Sequence, residues 1–175
     1  VTFIASLSNK NTFNNCIISN SKWSNMDLTK INFKQIAPIT NIQIKHCDCT
    51  GQSLKGINIE GAKIRYSNIS DLSISCCNIF DINISHSQTD NLSIDRGNIR
   101  ELYLLNSQSH KAKIKDSQIV SSEFENTDTK NWLIENSDIS KFKMKNNKLS
   151  KINIDMCNLT GWSIPADQAK HIKLN

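Results

Sequence analysis

Between Ala62 and Ile99 the apolar positions return every five residues. The pairs are Ala62-x-Ile64, Ser67-x-Ile69, Leu72-x-Ile74, Cys77-x-Ile79, Ile82-x-Ile84, Ser87-x-Thr89, Leu92-x-Ile94 and Gly97-x-Ile99, with Asn, Ser, Asp, Lys and Arg filling the positions between. A helix repeats its apolar face every 3.6 residues, and a half-buried strand alternates without interruption. A period of five fits neither. It predicts short extended pieces, each sending two side chains inward and each followed by a turn. Self-similarity at a fixed spacing marks a solenoid.

The N-terminal stretch keeps the period in an offset frame: Val1/Phe3, Asn11/Phe13, Cys16/Ile18, Ser21/Trp23, Met26/Leu28, Ile31/Phe33 and Ile36/Pro38. One residue is inserted around Ala37-Pro38-Ile39, where Pro suits a widened corner because it donates no ladder hydrogen bond. From Ile42/Ile44 to Trp162/Ile164 the frame runs without insertion or deletion. A longer period sits above it. The first inward position is mostly bulky in one set (Ile42, Ala62, Ile82, Leu102, Ser122, Phe142, Trp162) and in its opposite (Leu72, Leu92, Ala112, Trp132, Ile152). It is small in the two sets between (Cys47, Ser67, Ser87, Ser107, Thr127, Asn147, and Cys77, Gly97, Ser117, Ser137, Cys157). With four pentapeptides to a coil, residues twenty apart stack, and the cross-section is a filled rectangle. The column Cys49, Ile69, Thr89, Ser109, Thr129 and Leu149 is partly polar, so an internal hydroxyl ladder is expected there.

These observations divide the chain into an all-β solenoid over 1–164, about eight 20-residue coils, and a segment over 165–175. In the latter, Pro165 suits the first position of a short C-terminal capping helix, or the segment opens a linker to a following domain. The opening Val1 in place of Met points to a fragment of a longer chain. At 175 residues the length matches one domain with a core of its own. Of the six cysteines, Cys16, Cys47, Cys77 and Cys157 occupy the small inward position and Cys49 the aliphatic one, while Cys76 points outward. They read as packing groups and not as a disulfide framework, which implies a reducing compartment. No apolar run is long enough to span a membrane as a helix.

The pattern resembles the pentapeptide-repeat family, on the strength of Cys77-Asn78-Ile79, Ser67-Asn68-Ile69, Ser137-Asp138-Ile139 and Cys157-Asn158-Leu159. The resemblance covers nearly the whole chain and implies that family's fold, a right-handed quadrilateral β-helix. The chain departs from the strict consensus in its central Ile and in Trp132, Phe142 and Trp162 at the small position. Such degenerate repeats look like those of secreted effectors of enteric bacteria, in particular the N-terminal β-helix domain of SopA/NleL-type HECT-like ubiquitin ligases. That likeness implies type III secretion into a host cell, a role in virulence, a host protein as partner and a ligase domain beyond Asn175. No residue here carries over to its catalytic cysteine.

No nucleophile elbow, zinc-protease, phosphate-loop, dinucleotide or paired-cysteine motif is found, so no catalytic, cofactor-binding or metal residue is assigned. The outward thiol Cys76 stacks between Gly56 and Arg96 with no histidine to act as base. Of the four histidines, His46 and His86 share a column with Tyr66 between them, and Lys45, Lys63, Arg65, Tyr103 and Leu105 fall on the adjoining wall. Together these eight residues form the candidate interaction patch, of the residue types that anchor interfaces. Phe80, Arg100 and Val120 stack on another wall as a smaller candidate. The net charge of +5 argues against a DNA-mimicking rod, which must be strongly acidic. Glu123 and Glu125 interrupt the basic wall, against direct nucleic-acid binding. The expected function is a rigid, non-catalytic protein-recognition scaffold; the alternative is a free-standing repeat protein acting on nucleic acid or a nucleic-acid enzyme.

Overall fold

In the computed structural model, which describes residues 2–4, 12–14, 18–29, 31–34 and 38–175, short parallel strands stack coil upon coil. Every pairing from Gln43 onward joins residues twenty apart: Gln43↔Lys63, Asn83↔Tyr103, Glu123↔Lys143, Ser73↔Ser93, Ile152↔Ile172. Before the insertion the spacing is also twenty, as in Thr12↔Asn32, but Ile18↔Ile39 and Lys22↔Gln43 are twenty-one apart. The extra residue therefore lies between Lys34 and Ile39. This corrects the expected pair Ile36/Pro38. Ile39 is buried and pairs with Ile59, whereas Pro38 is exposed, so the later frame already holds at Ile39. Ile36 lies outside the described residues.

The corners explain the period. From Asn41 to Gly161 all twenty-five successive fifth residues have positive φ, between 47° and 72°. A single left-handed residue turns the chain sharply between two extended pieces and leaves the next pair of side chains inward. Fourteen of these corners are Gly, Asn or Asp, the residues that enter this region at least cost. Four walls result. The first carries Gln43–Lys45, the second half of the eight-residue strands Asn58–Arg65, Asn78–Ser85 and Asn98–Leu105, then Glu123–Glu125 and Lys143–Lys145. The second carries Gln108–His110, Asp128–Lys130 and Lys148–Ser150; the third runs from Ser53–Lys55 to Ile152–Asp155; the fourth holds Asn58, Asn78, Asn98 and Gln118.

The amide that follows each corner must find a partner, since an orphaned buried N–H costs about 1–3 kcal/mol. The small inward residues supply them. Ser87 Oγ accepts from Ser67 N at 3.2 Å and donates to Ser85 O at 2.9 Å, and Ser107 repeats the arrangement for Ser87. Ser117 and Ser137 do the same across the coil, and Asn147 Oδ1 accepts from Thr127 N at 2.8 Å. Cys47, Cys77 and Cys157 donate S–H to the carbonyl two residues back. The hydroxyl ladder expected at Thr89, Ser109 and Thr129 is not there. Thr89 bonds Gln108 O, but Ser109 Oγ and Thr129 Oγ1 have no partner. Those side chains follow the small position by two, where the backbone already pairs between coils and presents no free amide.

Aliphatic Ile, Leu and Ala fill the middle coils and aromatics the C-terminal ones. Phe124 meets Trp132 edge-on at 5.4 Å and Phe142 at 4.8 Å, with Phe142 6.4 Å from Trp162. The expected filled rectangle holds only there. Between Trp23 and Phe124 an apolar void of about 130 Å³ remains, with Ala62 on its lining between Ile42 and Ile82. At the C-terminus the chain makes a 3₁₀ turn over Ala169–His171 and then a strand, Ile172–Leu174, which pairs with Ile152–Ile154. Gln168 Oε1 accepts from Leu149 N at 3.2 Å, so this segment continues the coil and covers part of the last rung.

Two outcomes follow for stability. Ser87→Ala orphans the Ser67 amide and lowers the unfolding free energy by about 1–3 kcal/mol in a denaturant titration, whereas Ser87→Cys, the residue used at Cys47, costs less. Ala62→Ile fills part of the void and raises it by about 1–2 kcal/mol; an unchanged midpoint would show that the interior is already packed.

Candidate functional site

The first wall and the corner beside it bring all eight candidate residues together. Pairing places Lys45 beside Arg65, and Arg65, Ser85 and Leu105 follow in one column; Lys63, Asn83 and Tyr103 form the next. At the corner His46, Tyr66 and His86 all have positive φ, so each side chain leaves the coil in the same direction. Their rings stack: the His46 and Tyr66 centroids are 5.1 Å apart at an interplanar angle of 17°, those of Tyr66 and His86 4.9 Å apart at 26°. Tyr66 is 49% exposed, and Lys45, Lys63, Arg65, His46 and His86 are exposed as well, while Tyr103 and Leu105 are half-buried. Below His86 the corner continues as amides, with Asn126 Nδ2 donating to Asn106 Oδ1 at 3.2 Å.

Charge changes sign along this wall. Lys45, Lys63 and Arg65 form no ion pair with any described residue, whereas lower down Lys145 Nζ lies 2.9 Å from Glu125. Partial burial first, and then the carboxylates of Glu101, Asp81 and Glu123, push the Tyr103 phenol above its usual range. The upper coils thus present unpaired cations and ring edges, the middle an apolar step at Tyr103 and Leu105, the next coil the carboxylates Glu123 and Glu125, and the one after it Lys143 and Lys145.

A second cluster, not among the candidate residues, lies on the neighbouring wall. On the second wall His110 Nδ1 lies 3.6 Å from Asp90 Oδ1, and its Nε2 lies 3.4 Å from Asp128 Oδ1 without hydrogen-bond geometry. Gln88 and Gln108 both donate to Asp90 Oδ2, at 2.8 and 2.9 Å, and His110 N donates to Asp90 Oδ1. Stacking in twenties places Asp90 over His110, and Gln88 over Gln108 over Asp128, so the signal was present in the columns. Both imidazole nitrogens face carboxylates, and the hydrogen bonds to Asp90 tie its coil to that of His110. On the fourth wall Phe80 is 44% exposed above Arg100.

The Asn-x-Ser/Thr triplets at Asn68 and Asn158 have a backbone role. Their Oδ1 atoms accept from Ser70 N at 3.1 Å and Thr160 N at 3.0 Å, closing the turn. Cys47, Cys49, Cys76, Cys77 and Cys157 are all free thiols, and Cys76 is the exposed one among them. Arg96 beside it is held by Asp95 at 2.9 Å. Burial pushes the Cys47, Cys49 and Cys157 thiols up, most strongly at Cys49, which lowers their thiolate fraction near neutral pH. Among the described thiols, native protein treated with iodoacetamide is therefore alkylated at Cys76 first, with Cys47 and Cys49 reacting after denaturation; rapid native labelling of Cys49 would contradict the packing described.

No family model matches the chain, and no curated protein matches it. Solved structures do. HetL, a pentapeptide repeat protein involved in heterocyst differentiation regulation in the cyanobacterium Nostoc, is 9% identical, with a TM-score of 0.51 over 92% of this chain and 93% of its own. A trypsin-treated form of QnrB1, a plasmid-mediated fluoroquinolone resistance protein, is 13% identical, with a TM-score of 0.52 over 97% and 94%. At this identity the likeness bears on architecture alone. The fold of the chain is the right-handed quadrilateral β-helix of pentapeptide-repeat proteins, in about eight coils.

Proposed function

We propose that the chain is a non-catalytic protein-recognition rod whose partner docks on the first wall and its His46–Tyr66–His86 corner. The observation that carries this reading is the pairing of a preformed ring stack with three cations that no described carboxylate neutralises. Such a surface meets a partner without reordering, and exposed Tyr and Arg are the side chains that concentrate binding energy. The solenoid supports it mechanically, since each coil is pinned to the next by backbone hydrogen bonds on every wall.

In its finer form the rod is the substrate-recognition module of a secreted bacterial effector acting on a host protein, of the HECT-like ligase type. Two observations support that form: the degenerate, Ile-centred repeat described above, and free thiols that suit the reducing interior of a host cell. Fold likeness carries no function by itself.

Site-specific photo-crosslinking tests the recognition reading. A benzophenone amino acid replacing Asn83, in the centre of the first wall, is expected to give a defined protein adduct in extracts of the native setting, and the same probe at Asn153 on the third wall is expected to give none. Adducts to a host protein extend the reading to its finer form. Equal yields from both positions, or an adduct to nucleic acid from Asn83, would overturn it.

A further inference from the structure

The charge order along the first wall identifies what kind of protein segment fits it. We infer that the partner contributes an acidic segment with an apolar residue about three positions further along, its carboxylates on Lys45, Lys63 and Arg65 and its apolar side chain against Tyr103 and Leu105. This inference rests on the recognition reading above and adds the chemistry of the partner.

Three observations converge. The upper cations Lys45, Lys63 and Arg65 form no ion pair with a described residue, whereas lower down Lys145 is paired with Glu125, so an unpaired cluster of three cations stands beside the ring stack. The stacked rings cover one another's faces at 5.1 and 4.9 Å and present their edges outward. Aromatic edges are the positive part of the ring quadrupole, and the imidazole N–H and tyrosine O–H groups lie there too, so the corner offers donors to carboxylate oxygens. A single-stranded nucleic acid needs open ring faces on which to stack its bases. Here the inner faces are already taken, which favours a peptide over a nucleic acid.

The apolar step and the acidic coil that follows it set the length. Adjacent coils are ~4.8 Å apart, so Leu105 lies ~10 Å beyond Arg65, and an extended peptide rising ~3.3 Å per residue covers that in about three residues. One coil further, Glu123 meets a continuing run of carboxylates with like charge, and Glu125 is already paired with Lys145. A uniformly acidic tail fits less well than an acidic block that ends in an apolar residue and then a neutral or basic one.

Fluorescence anisotropy with the full 175-residue chain tests this. The probe is a labelled Glu-Asp-Glu-Ser-Gly-Leu-Lys peptide in low-salt buffer, compared with one form carrying Gln for its acidic residues, one carrying Ser for Leu, and a labelled oligothymidylate. The expected result is binding of the parent peptide that weakens as salt rises, falls at least about tenfold in Lys45→Glu/Arg65→Glu, falls with either altered peptide, and is unchanged in Lys148→Glu on the second wall. Matching circular dichroism and unfolding midpoints show that the variants are folded. No binding of the parent peptide, equal binding by the double variant, or tighter binding of oligothymidylate overturns the inference. If crosslinking at Asn83 has meanwhile trapped a protein, the recognition reading stands and only the acidic-segment chemistry fails; if Asn83 traps nothing, both fail.

Discussion

A left-handed residue at every fifth position is the constraint on which the rest of this structure depends. It turns the chain by one side of a square, keeps the next two side chains inward and fixes the coil at twenty residues. For residues other than Gly, Asn and Asp the left-handed conformation costs roughly 1–2 kcal/mol each. Glu101, Lys111, Lys141 and Met156 all adopt it. The inter-coil hydrogen bonds offset that cost: a corner such as Glu101 is followed by Leu102, whose amide donates to Ser122 Oγ at 3.1 Å on the next coil. Local strain and coil-to-coil bonding are thus two sides of one arrangement, and neither persists without the other.

Function inherits this geometry. A side chain at a corner has no choice of direction, because its backbone conformation is shared with the corners above and below. That is why His46, Tyr66 and His86, each twenty residues from the next, form a stack at the spacing of a parallel ladder. The same register sorts charge into columns, so the sign change from Arg65 through Leu105 to Glu125 is a linear feature on a rigid wall. On the proposed reading a partner meets it without loop closure or domain motion.

Much of this was legible beforehand because a solenoid translates sequence spacing into spatial adjacency. Ile79, Ile99 and Ile119 were assigned inward by period alone and are buried; Lys45, Arg65 and Tyr66 were assigned to one surface and share it. What stayed hidden needed facts that spacing does not hold. The partly polar column suggests a hydroxyl ladder at Ser109 and Thr129, whereas the ladder runs through Ser67, Ser87 and Ser107, because the free amide sits at the first inward position and not at the second. The void beside Ala62 depends on volumes summed over four walls, not on any single column. The exact position of the inserted residue escaped because Ile36 and Ile39 both satisfy an apolar pattern. The His110 cluster stayed hidden because only Asp90 shares its column, while Asp128 and the amides of Gln88 and Gln108 reach across from the neighbouring one.

The central claim is that the corner stack exists in the free protein, before any partner arrives. Proton NMR of the unliganded chain tests it through the imidazole ring resonances of His46 and His86, compared with those of Tyr66→Leu. Rings held about 5 Å above and below a tyrosine face are shifted upfield by its ring current, so the account predicts shifted His46 and His86 signals that move back toward ordinary histidine positions in the variant. Ordinary positions in the unaltered protein, insensitive to the loss of Tyr66, would mean that the columns do not hold the rings in register and that the wall is not a preformed recognition surface.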